Sequence, residues 1–149
     1  MSKERFKLIP AVFLVLKDND GQLLLSQRLN TGYGNGYYSL VSGHVEDGES
    51  TVSAMIREAR EETGIALQKD DLRLSHVLHY TSEVDGYKSL MLFFEAEKWK
   101  GDIMNTEPDK CSDLSWFSLD ALPANTIPYV RQVLECIQNK IAYSEFGWE

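Results

Sequence analysis

Residues 43–65 read GHVEDGESTVSAMIREAREETGI and decide the fold of this 149-residue chain. The stretch follows the pattern G-x5-E-x7-R-E-x-x-E-E-x-G-I, in which two glycines, one arginine and four glutamates keep fixed offsets. At ordinary residue frequencies, a chance match of this kind is roughly a one-in-a-million event. The spacing therefore calls for a physical reason, and its helical part supplies one.

The segment between Gly48 and Gly64 predicts an amphipathic helix over residues 50–63. Its apolar residues recur at i, i+3, i+4 and i+7, which places them on one helical face. They are Val52, Met55, Ile56 and Ala59. Ser50 is a favourable N-cap, and Gly64 suits the left-handed conformation that often ends a helix. The sequence thus predicts a helix with one face against a core.

A second face of this helix is acidic. Glu58, Glu61 and Glu62 stand at i, i+3 and i+4, so their side chains are neighbours. Like charges at these spacings destabilise a helix by about 0.2–0.5 kcal/mol per pair, and an i, i+4 contact between Arg57 and Glu61 offsets only part of this. A divalent cation would offset more, because Mg²⁺ prefers oxygen ligands. An isolated acidic run also fits a solvated helix surface, but the other fixed positions favour a metal site.

Together, the fixed positions resemble the Nudix box, the signature of hydrolases that cut a diphosphate linked to another moiety. The resemblance implies an α/β (α+β) fold, the Nudix α/β/α sandwich, with a mixed β-sheet between helices. It also implies a Mg²⁺ cofactor, with Mn²⁺ as the alternative. Many members of the family have Pro-Gly-Gly before the box, whereas this chain has Val41, Ser42 and Gly43. The loop geometry before the helix is therefore less certain than the helix itself.

The resemblance implies roles for the box residues. Glu58, Glu61 and Glu62 are the expected metal ligands, and either Glu58 or Glu61 is the expected base that deprotonates the attacking water. Two further catalytic residues are expected, with Arg57 orienting the carboxylates and Glu49 supporting them from the helix start. The backbone carbonyl before the first box glycine is a further expected ligand, and here it belongs to Ser42. The sequence does not separate the ligand role from the base role among neighbouring glutamates.

Two segments outside the box resemble the MutT-type members of the family, which hydrolyse oxidised nucleoside triphosphates. Residues 99–107, WKGDIMNTE, resemble a segment whose glutamate reaches the metal, so Glu107 is expected to be an outer ligand; a solvent-exposed loop glutamate is the alternative. Residues 122–125, LPAN, resemble a segment whose asparagine reads the oxidised base. That role would fall to Asn125, and the alternative is a helix N-cap at Asn125 or the threonine after it.

Three further residues are expected on the substrate side. Arg28, at the end of a predicted strand, lines up with a substrate-contacting arginine of those enzymes, although a strand-end arginine is often only a surface charge. Tyr38 lies among tyrosines and glycines just before the box, where an exposed ring could stack on a base or pack under the loop. The backbone at Gly43 can approach the metal and substrate closely.

The expected function is that of a Mg²⁺-dependent Nudix hydrolase. Its substrate would be a nucleoside triphosphate, including an oxidised one of the 8-oxo-dGTP type, and water would attack a phosphorus of the diphosphate bridge. The products would be a nucleoside monophosphate and pyrophosphate. One alternative is another nucleoside diphosphate derivative such as ADP-ribose. The other is a non-catalytic nucleotide-binding module, which the four box glutamates disfavour.

Composition restricts the partners. The net charge of −8 disfavours extended nucleic-acid binding, and no apolar run reaches the 18 or so residues of a membrane span. The two cysteines fit a reducing compartment, so a cytoplasmic location is expected. An apolar run over residues 8–16 follows three basic residues, but a turn rather than a cleavage site follows it, which favours a hairpin. A single domain over residues 1–149 is expected, as a monomer or homodimer.

The coarse pattern predicts six strands and two helices. The strands are expected near residues 6–17, 22–29, 37–42, 71–81, 87–98 and 113–117, and the helices over 50–63 and 127–142. Asp85 and Gly86 predict a hairpin turn between the fourth and fifth of these strands.

Overall fold

The computed structural model describes residues 3–148. The elements in chain order are β1 (Ala11–Leu16), β2 (Leu23–Arg28), β3 (Tyr38–Ser39), β4 (Val41–His44), α1 (Thr51–Thr63), β5 (Arg73–Thr81), β6 (Lys88–Ala96), β7 (Cys111–Phe117), α2 (Pro128–Gln138) and β8 (Tyr143–Phe146). Short 3-10 turns lie at Lys69–Asp71 and Leu119–Ala121.

The strands form two sheets. The larger is mixed, with the order β4-β1-β6-β5-β8, and its β1–β6 and β5–β8 pairs are parallel. The smaller is antiparallel, with the order β3-β2-β7. The hairpin predicted at Asp85 and Gly86 joins β5 to β6, and Gly86 adopts the left-handed φ of 70° that this turn requires.

Strand β1 is buried on both faces and divides the core in two. Its odd-numbered residues, from Ala11 to Val15, pack in a cluster with α2, and its even-numbered residues, from Val12 to Leu16, pack in a cluster with α1. A strand covered on both faces by helices is a continuous apolar run rather than an alternating one. The predicted sandwich of a mixed sheet between helices is therefore confirmed.

Helix α1 forms as its sequence predicts. Ser50 caps it, accepting a hydrogen bond from the Ser53 N–H at 3.1 Å, and Gly64 ends it with φ 78°. Met55 and Ala59 of the apolar stripe are fully buried. Because β4 pairs with β1 and packs against α1, the loop of residues 45–50 holds the helix start at the edge of the larger sheet.

Two predicted elements differ from the structure near the N-terminus. The β1–β2 hairpin reduces to a turn with one bridge, between Lys17 and Leu23, because the two strands enter different sheets. The strand predicted over residues 37–42 is two strands for the same reason: β3 pairs with β2, and β4 pairs with β1.

The end of the chain also differs. Helix α2 ends at Gln138 rather than at 142, and Lys140 takes a left-handed φ of 57° that turns the chain into β8, a strand that was not predicted. The proposed capping by Asn125 or Thr126 is wrong, because Ile127 precedes the helix without a side-chain cap. The Thr126 hydroxyl instead donates to the Pro123 carbonyl at 2.7 Å.

Within residues 3–148, no helix combines the length and apolarity needed to cross a bilayer.

A buried carboxylate, Glu95 on β6, predicts how the fold responds to acid. Burial alone would raise the pKa of Glu95, but hydrogen bonds from Lys17 at 2.7 Å, from Ser75, and from Arg73 at 2.5 Å outweigh it and lower the pKa to about 2. A carboxylate with a depressed folded pKa stabilises the fold above its unfolded pKa and loses that stabilisation as pH falls through the folded value. The contribution should be complete above about pH 5 and decline towards pH 2.

Glu95→Gln should therefore reduce the free energy of unfolding at pH 7 by about 1–3 kcal/mol, because it removes charge-assisted hydrogen bonds. The difference from the unmodified protein should shrink at pH 3. Urea unfolding at both pH values measures this, with the exposed neighbour Glu97→Gln as the control. A loss that is equal at pH 7 and pH 3 would refute the electrostatic explanation.

Candidate active site

Arg57 organises the acidic end of α1. Its guanidinium donates to both carboxylate oxygens of Glu49, at 3.1 and 2.7 Å, to Glu58 at 2.8 Å and to Glu61 at 3.2 Å. It also donates to the His44 carbonyl at 3.1 Å, which ties α1 to β4. The hydrogen bond from Arg57 lowers the pKa of Glu49 and raises the pKa of Arg57 in return. The predicted contact with Glu61 is present.

Glu58 and Glu62, one turn apart on α1, form a carboxyl pair against β4, with Glu58 over Gly43 and Glu62 at the Ser42 N–H. Burial raises the pKa of both groups. For Glu62, burial and the nearby charges of Glu58 and Glu107 outweigh the hydrogen bond from the Ser42 N–H at 3.1 Å and raise the pKa to about 9. At neutral pH the pair therefore holds a proton at Glu62, while the hydrogen bond from Arg57 opposes the effect of burial on the pKa of Glu58.

Gly43 lies directly beneath Glu58. A Cβ atom at this position would sit 2.1 Å from the Glu58 carboxyl carbon, closer than any real contact. Glycine is needed here because of this close approach, whereas the backbone at Gly43 is not left-handed. The absence of a side chain at Gly43 thus leaves the space that the Glu58 carboxylate occupies.

Glu107 enters from the loop before β7. It lines a small cavity of about 80 Å³ together with Glu62, and its charge is one of those that raise the pKa of Glu62. Within residues 3–148, no three His, Cys, Asp or Glu side chains have the spacing of a preformed metal site. Glu58, Glu62 and Glu107 thus lie in the same region, but their carboxyl groups do not surround a single point as the ligands of a bound metal would.

A divalent cation fits this donor set. The carboxyl groups of Glu58 and Glu62 are half-buried, and Glu62 holds a proton that a cation would displace. Carboxylate oxygens are also the ligands that Mg²⁺ and Mn²⁺ prefer. Glu61 is more peripheral: its side chain is 54% exposed, against 14% for Glu58. Ser42 contributes its N–H to Glu62, and its backbone lies at the edge of the larger cavity.

The larger cavity, of about 320 Å³, adjoins β4 and is mainly aromatic. We call it the aromatic cavity; its apolar lining consists of Phe13, Tyr33, Tyr80, Tyr87, Met91 and Tyr129. Polar groups at its edge are Arg28, Thr31, Ser42, His44 and Asp85. Its volume falls in the range of small-molecule sites, and stacked rings suit a planar heterocycle.

The structure brings only some of the expected substrate-side residues to this region. Arg28 lines both cavities, and its Nε donates to the Tyr33 carbonyl at 2.8 Å. Tyr38 lines neither: its hydroxyl donates to Asp113 at 2.5 Å, which raises its pKa to about 12. Asn125 also lines neither, because its amide donates to the Gly36 carbonyl at 2.7 Å. Tyr38 and Asn125 hold the loop before β3 in place.

Apart from Tyr33, one of the tyrosines before the box that could stack on a base, the aromatic lining was not predicted from sequence. Tyr80 and Tyr87 come from the β5–β6 hairpin and Tyr129 from α2, so only tertiary structure brings them together. No local spacing marks them. Lys110, in the turn after Glu107, was missed for the same reason.

Comparison with known proteins agrees with this geometry. The NUDIX domain model matches residues 7–135. The NAD-capped RNA hydrolase NudC of Stutzerimonas stutzeri is 33% identical over 118 residues, covering 79% of this chain and 39% of that protein. NudC of Pseudomonas aeruginosa (strain LESB58) is 35% identical over 117 residues, covering 78% and 38%. The chain thus spans about two fifths of the length of these curated relatives.

A solved structure matches over its whole length. The crystal structure of a MutT NUDIX hydrolase from Burkholderia pseudomallei has 28% identity and a TM-score of 0.80, covering 87% of this chain and 98% of that one. The curated relatives are named NAD-capped RNA hydrolases, whereas the solved structure is named a MutT NUDIX hydrolase, so the two do not point to one substrate.

Proposed function

The chain belongs to the Nudix family, and we propose that it is a divalent-metal-dependent hydrolase of nucleoside di- or triphosphate derivatives. The observation that carries this proposal is the placement of the Glu58 and Glu62 carboxyl groups against Gly43 and the Ser42 N–H, beside a cavity sized for a base. Of the two glutamates only Glu58 pairs with Arg57. Two close, half-buried carboxyl groups with one cationic partner are costly for the fold, and a metal site explains their presence.

Glu58 and Glu62 would hold the cation, with Glu107 reaching it from the opposite loop. When bound, the cation supplies charge stabilisation for the phosphate oxygens. Arg57 keeps the Glu58 carboxylate ionised and oriented. We assign Glu58, rather than the more exposed Glu61, as the base that takes a proton from the attacking water. The water oxygen bonds to phosphorus as the anhydride bond breaks.

The first candidate substrate is a nucleoside triphosphate, which would yield a nucleoside monophosphate and pyrophosphate. The aromatic cavity supports a base there, and Arg28 lies between that cavity and the acidic pair. A preference for an oxidised base depends on Asn125, whose amide is bound to Gly36, so the proposal extends to nucleoside triphosphates generally.

A second candidate is a dinucleotide with a central diphosphate, of the NAD type. It is favoured by the similarity to the NudC proteins, which are NAD-capped RNA hydrolases. The net charge of −8 disfavours the RNA portion of such a substrate, so the candidate is the small dinucleotide.

The test is product release from a substrate panel with and without Mg²⁺. The panel holds the four deoxynucleoside triphosphates, 8-oxo-dGTP, ADP-ribose and NAD, and the products are separated by chromatography. Metal-dependent formation of a nucleoside monophosphate from any of these substrates supports the proposal, and the substrate that is hydrolysed fastest identifies the substrate class. No hydrolysis of any member, with tight nucleotide binding, would replace the proposal with a non-catalytic module.

Arg57→Lys is expected to lower kcat roughly 10- to 100-fold, because a lysine ammonium cannot span Glu49 and Glu58 as the guanidinium fork does. Steady-state kinetics on the best substrate of the panel measures this. The matched control is Arg60→Lys, an exposed residue on the same helix, which should stay within about twofold of the unmodified protein. Normal turnover in Arg57→Lys would rule out the orienting role.

A further inference from the structure

The small cavity beside the acidic pair is lined by side chains of both charges. Its acidic groups are Glu62 and Glu107, and its cationic groups are Arg28 and Lys110. Arg28 and Thr31 also line the aromatic cavity, so the two cavities adjoin. A molecule with its base in the aromatic cavity and its phosphates at the acidic pair would extend into this second space.

The turn that carries Glu107 fixes the position of Lys110. The N–H groups of Lys110 and Cys111 both donate to the Glu107 carbonyl at 2.9 Å. One tight turn therefore presents a candidate metal ligand and a cation to the same cavity.

Neither cation has a carboxylate partner in the described part of the chain, although Arg28 donates to the Tyr33 carbonyl. Across residues 3–148, the ion pairs involve Lys17, Arg57 and Arg73 but neither Arg28 nor Lys110. Other polar groups of the cavity are already satisfied: the Ser26 hydroxyl donates to the Cys111 sulfur at 3.1 Å. The Cys111 thiol donates in turn to the Asp113 carbonyl at 3.2 Å. The positive charges of Arg28 and Lys110 are therefore available to bind an anion.

We infer that Arg28 and Lys110 form a subsite for the terminal phosphate of the substrate, and that Lys110 determines specificity for a phosphate tail. This inference rests on the proposed function. The volumes decide between a phosphate and a second nucleoside: about 80 Å³ is a quarter of the aromatic cavity and below the ~300 Å³ of a typical small-molecule site. A phosphate fits this space, and a second nucleoside does not. The chain therefore prefers a nucleoside triphosphate to a dinucleotide.

The test compares Lys110→Ala with Lys69→Ala, which removes the same charge from an exposed site on the Lys69–Asp71 turn. Two quantities are measured with Mg²⁺: kcat/KM for the preferred nucleoside triphosphate and for NAD, and the inhibition constant of inorganic pyrophosphate. Lys110→Ala should lower kcat/KM for the triphosphate and weaken pyrophosphate inhibition roughly 10- to 100-fold, as expected for one hydrogen bond to a charged group. Its kcat/KM for NAD should stay within about twofold, and Lys110→Arg should restore most of the triphosphate activity.

The two proposals fail in different ways. If the unmodified protein hydrolyses the triphosphate and pyrophosphate inhibits Lys110→Ala as strongly as the unmodified protein, the phosphate subsite is refuted and the hydrolase remains. Equal losses for the triphosphate and NAD would refute the specificity role. An unmodified protein that hydrolyses nothing would refute the proposed function, and the subsite with it.

Discussion

Glu62→Gln is expected to lower kcat/KM roughly 100- to 1,000-fold without unfolding the protein, because it removes a carboxylate ligand that the cation needs at the centre of the site. Gln keeps the size of the side chain and can still accept the hydrogen bond from the Ser42 N–H. Steady-state kinetics with Mg²⁺ measures the loss, and far-ultraviolet circular dichroism checks the fold. Glu58→Gln should lose activity to a similar extent.

The same variant should be more stable than the unmodified protein when metal is absent. The folded pKa of Glu62 is raised to about 9, so its stabilising effect is complete below the unfolded value near 4.5 and is lost as pH rises through 9. Gln cannot ionise and removes this dependence. At pH 8 without metal, Glu62→Gln should therefore gain a free energy of unfolding on the order of a few kcal/mol, and the gain should vanish near pH 4.

Glu135→Gln is the matched control, because it makes the same substitution at an exposed position on α2. It should change neither turnover nor the pH dependence of stability. Near-normal turnover in both Glu62→Gln and Glu58→Gln would contradict the assignment of the acidic pair. A loss of stability in metal-free Glu62→Gln at pH 8 would contradict the raised pKa.

Gly43→Ala is expected to lower turnover roughly 100-fold while leaving stability nearly unchanged. The added Cβ would overlap the Glu58 carboxyl group at 2.1 Å, and the end of a flexible side chain can move away at little cost to the fold. The carboxylate then leaves the position that Arg57 and the metal require, a displacement that costs on the order of 100-fold. Kinetics and thermal unfolding of the same preparation measure both effects.

A double-mutant cycle with Glu58→Gln identifies the cause. If Gly43→Ala acts by displacing Glu58, the double variant should be no slower than Glu58→Gln alone, because the two changes remove the same interaction. Additive losses would show that the alanine acts elsewhere, for example on the backbone next to the substrate.

The box helix could be predicted because everything that specifies it is local. Ser50, the apolar stripe and Gly64 lie within 15 residues of sequence, and the structure confirms the cap, the buried face and the left-handed end. The contact of Arg57 with Glu61 is likewise one helical turn. Local interactions of this kind are encoded by spacing alone.

Features that depend on tertiary pairing could not be predicted in this way. Strand β8 has four residues and pairs in parallel with β5, some 65 residues away, so no turn signal announces it. The aromatic cavity collects side chains from the β5–β6 hairpin and α2 in the same manner. Asn125 shows the limit of a local resemblance. The LPAN segment predicted that Asn125 would hydrogen-bond the substrate base, but in the structure its amide donates to the Gly36 carbonyl.

The most direct test of the metal site is a calorimetric titration of metal-free protein with Mn²⁺ at pH 7, repeated in buffers of different ionisation enthalpy. If the cation binds at Glu58 and Glu62, it must displace the proton at Glu62, so we predict release of about one proton per protein. Glu62→Gln should bind more weakly and release none. Binding without proton release in the unmodified protein, or the same release in Glu62→Gln, would contradict a metal site at this pair.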